Sequence, residues 1–506
     1  MSSLPGLALP GLNFSTPTPQ PSHRSAAPAV LAPPRTEQLP ARSELRFEVA
    51  FDRIYKIRLV KGTAEISGTE IASNSTYTFS GTKAAVFSWH GCTLEVQGDA
   101  ESEYVGSETE AMVEWMNVHG MLETLREEPS NTQDEGPRVL VVGPDANGKS
   151  TLVKCLASWA LRMGRTPTVV NLDPKEGVLG IPSSITAVTY NTMLDVEDGG
   201  WGSSPISGPT GVPVKTPLIY HYPFASPDDN SSLFKSLITR LALAVTSKMD
   251  EDASVKQSGL IIDTPGSSLN NPKSNYDLLA HIISELSINL VLVLGSERLY
   301  NDLSRRYSSP SQRNAGSSED AVTVLRVAPS PGAVARDESF MKATRAAQTR
   351  RYFFGDARTP LNPHSQMWDF ADLAVYRAVD HSAGSNGASL NFLPGMDEDD
   401  DYDPSAAAAG SAAAASNGGG RGRDGELFER VAPSQAMVRS VLAIKFAPGN
   451  AGQEAVRDSC VMGYVYVADV DEAKKKVRFL APHPSRWGDR ALVWSSWPES
   501  VVDLMS

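Results

Sequence analysis

The chain has only three cysteines in 506 residues, Cys92, Cys155 and Cys460, far apart and in no C-x-x-C pair. That excludes a disulfide framework and points to a reducing compartment. Its eight histidines show neither H-x-x-x-H nor H-E-x-x-H spacing, so no zinc site is expected. No apolar run approaches the roughly 20 residues of a membrane span. The N-terminus lacks the charged-then-apolar order of a secretion signal. These absences predict a soluble intracellular protein with no membrane contact. Positive charge is also scarce. Lys and Arg total 46 against 59 Asp and Glu, a net charge of −13. Such a balance excludes a broad basic surface for nucleic acid and leaves room only for a local basic groove.

What is present divides into regions, as the length requires: one hydrophobic core cannot serve so long a chain. Residues 1–40 are rich in Pro, Ser and Ala and read as a disordered tail. Residues 41–127 read as a small all-β sandwich or barrel. Leu45, Phe47 and Val49 alternate with Glu44, Arg46 and Glu48, and short strands follow between glycines. A helix over Met112–Arg126 leads into a linker. Residues 137–375 alternate strand and helix patterns, which predicts a mostly parallel sheet covered on both faces. Within them 199–215, full of Gly, Ser and Pro, reads as a surface loop. Residues 376–506 are β-rich and carry an unstructured acidic and Ala/Gly/Ser insert over 396–424. The fold class is therefore α/β, a central parallel-sheet domain flanked by two β domains.

The centre of the functional reading is Gly143-Pro144-Asp145-Ala146-Asn147-Gly148-Lys149-Ser150, a full G-x-x-x-x-G-K-[S/T] match. An apolar strand, Arg138–Val142, precedes it. Leu152, Cys155, Leu156, Trp159, Ala160 and Met163 follow at helical spacing. Strand, glycine loop and helix is the context a phosphate-binding loop needs. The loop's backbone N–H groups and the helix dipole face phosphate. Lys149 would reach the β- and γ-phosphates, and the Ser150 hydroxyl would hold Mg²⁺.

Two carboxylates end apolar strands downstream: Asp173 after Val169–Leu172 and Asp263 after Leu260–Ile262. Ligands of such sheets sit beyond these strand ends. One carboxylate could position Mg²⁺ and the other take a proton from an attacking hydroxyl; each could instead be a helix cap or turn residue. A cationic cluster, Arg336, Lys342, Arg345, Arg350 and Arg351, precedes Tyr352-Phe353-Phe354-Gly355. It suits either a cationic lid over the γ-phosphate or a solvated basic helix face.

With these stretches in order the chain resembles the Clp subunit family of mRNA cleavage and polyadenylation factors, of fungal type. That family also contains polyribonucleotide 5′-hydroxyl kinases. The resemblance rests on Glu44–Val49, Ser88–Cys92, Gly143–Thr151, Gly164–Thr168, Asn171–Asp173, Glu297–Asn301 and Arg350–Gly355. It implies a P-loop kinase-like domain between an N-terminal β-domain and a smaller C-terminal one, with ATP and Mg²⁺ as ligands. By resemblance Glu44 and Lys83 are nucleotide contacts, and Ala146, Asn147, Gly148, Lys149, Ser150 and Thr151 hold phosphate with Gly143. Asp173, Arg345 and Arg350 match catalytic positions, and Ser150, Asp173 and Asp263 match metal positions. The implied partners are other 3′-end processing factors and above all a scaffold subunit that binds the RNA polymerase II tail and docks mainly on the central domain, near its junction with the C-terminal domain. RNA would be contacted weakly or indirectly, and the compartment would be the nucleus.

Three departures from the active kinases bear on activity. Glu176 stands where D-x-x-Q requires Gln. Ser267 stands where T-x-G-W requires Trp. Gln348 replaces a lid arginine. A second carboxylate repels an anionic substrate, and a lost base-stacking ring removes on the order of 1–3 kcal/mol. The expectation is a subunit required for endonucleolytic cleavage of the pre-mRNA, with ATP as a structural ligand and kinase activity lost. The alternative is an active RNA 5′-hydroxyl kinase. A regulatory GTPase is excluded by the missing N-K-x-D guanine motif.

Overall fold

The structure, a computed structural model, describes residues 33–127, 135–197, 201, 217–266, 269, 272, 276–307, 322–356, 360–379, 427–484, 487–501 and 504. Most of the N-terminal tail, the Gly/Ser/Pro loop over 199–215 (apart from Trp201), Ser267 and the acidic insert over 396–424 lie outside these residues.

Alternation builds the N-terminal sandwich. Leu45, Phe47 and Val49 point inward from Ser43–Val49, and Tyr55, Ile57 and Leu59 from Tyr55–Gly62; they close one core with Phe79, Val86, Leu94 and Val96. One sheet runs Arg35–Leu39, Cys92–Gly98, Tyr55–Gly62, Thr76–Phe79. The other runs Thr69–Glu70, Glu65–Ile66, Thr82–Ser88, Ser43–Val49, Ser102–Gly106. The strand Arg35–Leu39 corrects the reading of a tail extending to residue 40. It pairs antiparallel with Cys92–Gly98, Leu39 opposite Cys92. Only Leu39 of its five residues is buried, so an edge strand held by a distant partner left no alternating pattern to read.

The helix Glu110–Glu127 then packs Trp115 and Leu122 against the helix Lys149–Arg162 on one face of the central sheet. That sheet runs Leu218–His221, Ser184–Thr189, Thr168–Asn171, Leu260–Asp263, Arg138–Val142, Leu290–Leu294, Thr323–Val327. The last five strands are parallel. Val139 and Val141 face Trp115 and Leu156; Leu140 and Val142 face Leu237, Leu241 and Ile282 on the other side. Burial on both faces explains the unbroken apolar runs. Ser184–Thr189 and Leu218–His221 are antiparallel additions that sequence reading did not assign. Both are short, and their pairing is set by neighbours rather than by their own pattern.

The C-terminal sheet runs His364–Asp369, Lys476–Ala481, Val461–Asp471, Val441–Pro448, Arg490–Trp494, Ala374–Ala378, Phe428–Val431. One face closes over Val465, Phe479, Trp487 and Leu492. The other packs Tyr464 and Tyr466 against Tyr352 and Phe353 of the helix Glu338–Phe354. His364–Asp369 belongs to this sheet, so its first strand lies inside the span assigned to the central domain; Pro360 and Pro363 mark the break. No helix among the described residues is long and apolar enough to cross a membrane.

Candidate nucleotide-binding cleft

The strand Arg138–Val142 delivers Gly143 to the carboxyl edge of the sheet. There the backbone takes φ +153°, and an added Cβ would overlap the Leu294 carbonyl oxygen. Ala146 and Gly148 follow with φ +58° and +85°. The left-handed geometry of Ala146 is backbone strain of the kind that gathers at functional loops. Gly148 caps the helix Lys149–Arg162 without a side chain of its own, so the first-turn N–H groups face the cleft as anion donors. Lys149 is buried and donates from Nζ to the Pro144 carbonyl at 2.9 Å. It forms no ion pair with any described carboxylate. Gly266 packs beneath, where a Cβ would come within 2.6 Å of the Asp145 backbone nitrogen.

The loop forms the floor of one cavity of about 470 Å³. Glu44, Arg46 and Lys83 line it from the sandwich, Trp115 from its helix, Asp173 and Glu176 from the sheet edge. Ser330 and Gly332–Arg336 come from a crossing segment, and Glu338, Met341 and Arg345 from the helix after it. Of the residues expected at the site, Glu44, Lys83, Ala146–Thr151, Asp173 and Arg345 are thus brought together. Gly143 and Asp263 lie just behind the wall. Arg350 is not brought in: it is exposed, with its guanidinium 5.2 Å from the Phe354 ring.

Alternation in Ser43–Val49 marked Glu44, Arg46 and Glu48 as polar, but this polar face is the cleft wall rather than a solvent face. Glu44 and Arg46 are 6% and 8% exposed and form an ion pair. Burial raises the Glu44 carboxyl, against the pull of Arg46. Lys83 pairs with Glu48 at 2.8 Å. Burial also pushes Lys154, behind the loop, down to about 8.

Three carboxylates meet around Ser150. Both Glu176 oxygens lie 3.4 Å from its hydroxyl. Asp173 and Asp263 are each also turn residues: one oxygen accepts from the Lys175 and Thr264 N–H, at 2.9 and 3.0 Å. The second Asp263 oxygen is buried and has no hydrogen-bond partner. Among the described residues no three His, Cys, Asp or Glu side chains are placed to ligate a metal together. A hydroxyl, a carboxylate and an unsatisfied buried oxygen nevertheless suit Mg²⁺, which takes few protein ligands and completes its shell with water and phosphate. Burial first, then Glu176, pushes Asp263 and Asp173 up to about 7.

Carboxylates raised from 3.8 to about 7 bind protons more tightly folded than unfolded, so the nucleotide-free chain loses stability as pH rises across that window. In Asp263→Asn this loss shrinks, read as the slope of melting temperature against pH from 5 to 8. An equal slope in variant and parent would refute the assignment.

The lid expectation is met only in part. Arg345 is 3% exposed, bonded to Glu338 and Glu499, and stacked 4.9 Å from the Trp497 ring. It lines the cavity but is held from the C-terminal side. Gln348 donates to the Glu176 carbonyl at 2.7 Å, so two of the three departures touch each other. Arg336 stands 3.9 Å from the Glu176 carboxylate. Sequence reading missed Arg46, Lys154, Glu499 and, apart from Arg336, the crossing segment. Arg46 carried a signal, two residues from Glu44 on the same strand face; Glu499 carried none.

Each of the three domains is similar to known proteins. The family description "mRNA cleavage and polyadenylation factor CLP1 P-loop" matches residues 143–355. "N-terminal beta-sandwich domain of polyadenylation factor" matches 38–129. "Pre-mRNA cleavage complex II protein Clp1" matches 361–499. The mRNA cleavage and polyadenylation factor CLP1 of Phaeosphaeria nodorum is 46% identical over 501 residues, covering 99% of this chain and 100% of that protein. The clp1 factor of Botryotinia fuckeliana is 45% identical over 483 residues, covering 95% and 97%. A solved Clp1p–Pcf11p complex superposes with a TM-score of 0.77 at 25% identity, over 92% of this chain and 98% of that one. A second structure, describing an extended Pcf11p–Clp1p interface and ATP loss in a point mutant, gives 0.76 at 25% identity with the same coverage.

Proposed function

The chain belongs to the Clp1 family of mRNA cleavage and polyadenylation factors, and from that premise we propose that it is an ATP-retaining assembly subunit of the nuclear 3′-end cleavage machinery, with phosphoryl transfer lost. The observation that carries this reading is the Glu176 carboxylate beside the Ser150 hydroxyl, in a cleft whose phosphate loop is otherwise complete.

The loop N–H groups from Ala146 to Thr151 and Lys149 would hold the phosphates, with Gly143 setting the turn. Glu44 and Lys83 would face the nucleoside end. Ser150 and Asp263, with Asp173 nearby, would hold Mg²⁺, which would supply the positive charge that lets these carboxylates ionise together. Glu176 adds negative charge where a second, anionic substrate would enter, and Arg345 is engaged by Glu338 and Glu499. A ligand bound only by the folded state stabilises that state by mass action without turning over.

The solved relative is in complex with Pcf11p. We infer a scaffold partner of that kind for this chain, docked near the junction of the central and C-terminal domains, with RNA contacted indirectly. The rival reading, an active RNA 5′-hydroxyl kinase, draws on Asp173, whose raised carboxyl lies in the range of a general base. One experiment separates them. Purified chain heated to denaturation releases ATP, yet transfers no label from γ-labelled ATP to 5′-hydroxyl RNA. Robust transfer abolished by Asp173→Asn would establish the kinase instead.

A further inference from the structure

The segment from Ala328 to Phe340 crosses the cleft and joins the last strand of the central sheet to the helix Glu338–Phe354. Besides the Arg336–Glu176 and Glu338–Arg345 pairs, it is fastened at three places. At its start the Trp115 indole N–H donates to the Ala328 carbonyl at 2.9 Å. In its middle Gly332 lies so close to the sandwich that a Cβ would stand 2.6 Å from Arg46 Nε and 2.9 Å from Glu44 Oε1. At its end the Phe340 ring sits 5.3 Å from the Phe51 ring and 5.1 Å from Lys83 Nζ. Asp337 caps the helix at the Phe340 N–H at 2.7 Å, which fixes that ring's position.

These fastenings differ in kind. The first joins parts that pack together in one core. The other two join the sandwich to the central domain across the open side of the cavity. Between them the segment reads Ser330-Pro331-Gly332-Ala333-Val334-Ala335, with small side chains and few apolar contacts. A segment of this kind opens locally at low cost. Phe51 is 39% exposed and Phe340 part-exposed, so the latch is a weak surface contact rather than a core one.

We infer that residues 328–340 form a strap through which nucleotide enters and leaves, and that Phe340 against Phe51 and Lys83 is its latch. The inference rests on nucleotide occupying the cleft. The latch sets how long nucleotide stays; the phosphate loop sets how strongly it binds. A ligand that enters and leaves only when the strap is open is slowed in both directions by whatever holds the strap shut.

Stopped-flow fluorescence with methylanthraniloyl-ATP on the full-length chain tests it. Phe340→Ala removes one aromatic pair and one cation–π contact, so association and dissociation should both accelerate on the order of tenfold while Kd stays within about threefold. Phe51→Ala should behave alike, and the double variant should add little. Should Phe340→Ala fail to fold, Phe51→Ala carries the test. Unchanged rates in a variant that binds the probe overturn the strap. So does faster release with unchanged entry, which would make Phe340 only a grip on bound nucleotide. A parent chain that binds no probe refutes the nucleotide reading itself.

Discussion

Lys149→Ala lowers ATP affinity by roughly 100- to 1,000-fold while the chain stays folded. The ammonium is the loop's point charge for phosphate, and a hydrogen bond to a charged group contributes about 1.5–3 kcal/mol. Losing two such bonds removes about 3–6 kcal/mol, whose lower part is already the predicted range at 1.4 kcal/mol per tenfold. The protein itself asks little of this side chain: among the described residues its one hydrogen bond is to the Pro144 carbonyl. Calorimetric titration of nucleotide-stripped protein measures the loss. ATP should also raise the melting temperature of the parent and leave that of the variant unmoved. An affinity within threefold of the parent would mean that phosphate is held elsewhere.

Gly143→Val destabilises the central domain by about 2–6 kcal/mol. At φ +153° a branched side chain occupies backbone space that it rarely adopts, worth on the order of 1–3 kcal/mol. Its Cβ also overlaps the Leu294 carbonyl oxygen. That oxygen is backbone at the end of a central strand and cannot swing aside, which adds another 1–3 kcal/mol or so of overpacking. Against a typical stability of about 5–15 kcal/mol, the sum is severe. Urea unfolding followed by tryptophan fluorescence measures it, and Gly143→Ala should fall between parent and valine. A destabilisation below about 1 kcal/mol for valine would mean that the loop yields without strain. The pair separates two uses of one loop: Lys149 serves the ligand, Gly143 the fold that presents it.

The sequence determined the parts whose causes are local. Strand Arg138–Val142, the turn to Ser150 and the helix after it are adjacent in the chain, so their pattern and glycine spacing were legible together. The same holds for the sandwich core, where strict alternation at residues 45, 47 and 49 reports which side is buried. Alternation cannot report what the polar side faces. By pattern alone Glu44 and Arg46 are simply polar; only the family resemblance pointed Glu44 at nucleotide, and both form a cleft wall because another domain stands opposite. Strand pairing was likewise invisible at the edge strand Arg35–Leu39, held by hydrogen bonds to Cys92–Gly98, and in Ser184–Thr189 and Leu218–His221, whose buried Ile185, Ala187, Ile219 and Tyr220 pack only once the sheet is assembled.

The site's electrostatics also belong to the tertiary structure. Glu176, Asp173, Asp263 and Ser150 follow three adjacent strands of one sheet, and the repulsion among the three carboxylates exists only once those strand ends lie side by side in a buried place. Arg345 was legible as a lid cation; that Glu499, 154 residues later, takes it up was not. Neither was the strap, whose closure depends on Phe51 and Lys83 meeting Phe340 across the cleft. Local pattern was enough to name a phosphate-binding loop. What surrounds that loop, and whether it carries out transfer or only holds a ligand, depends on long-range contacts, because charge, burial and closure are properties of the assembled cavity.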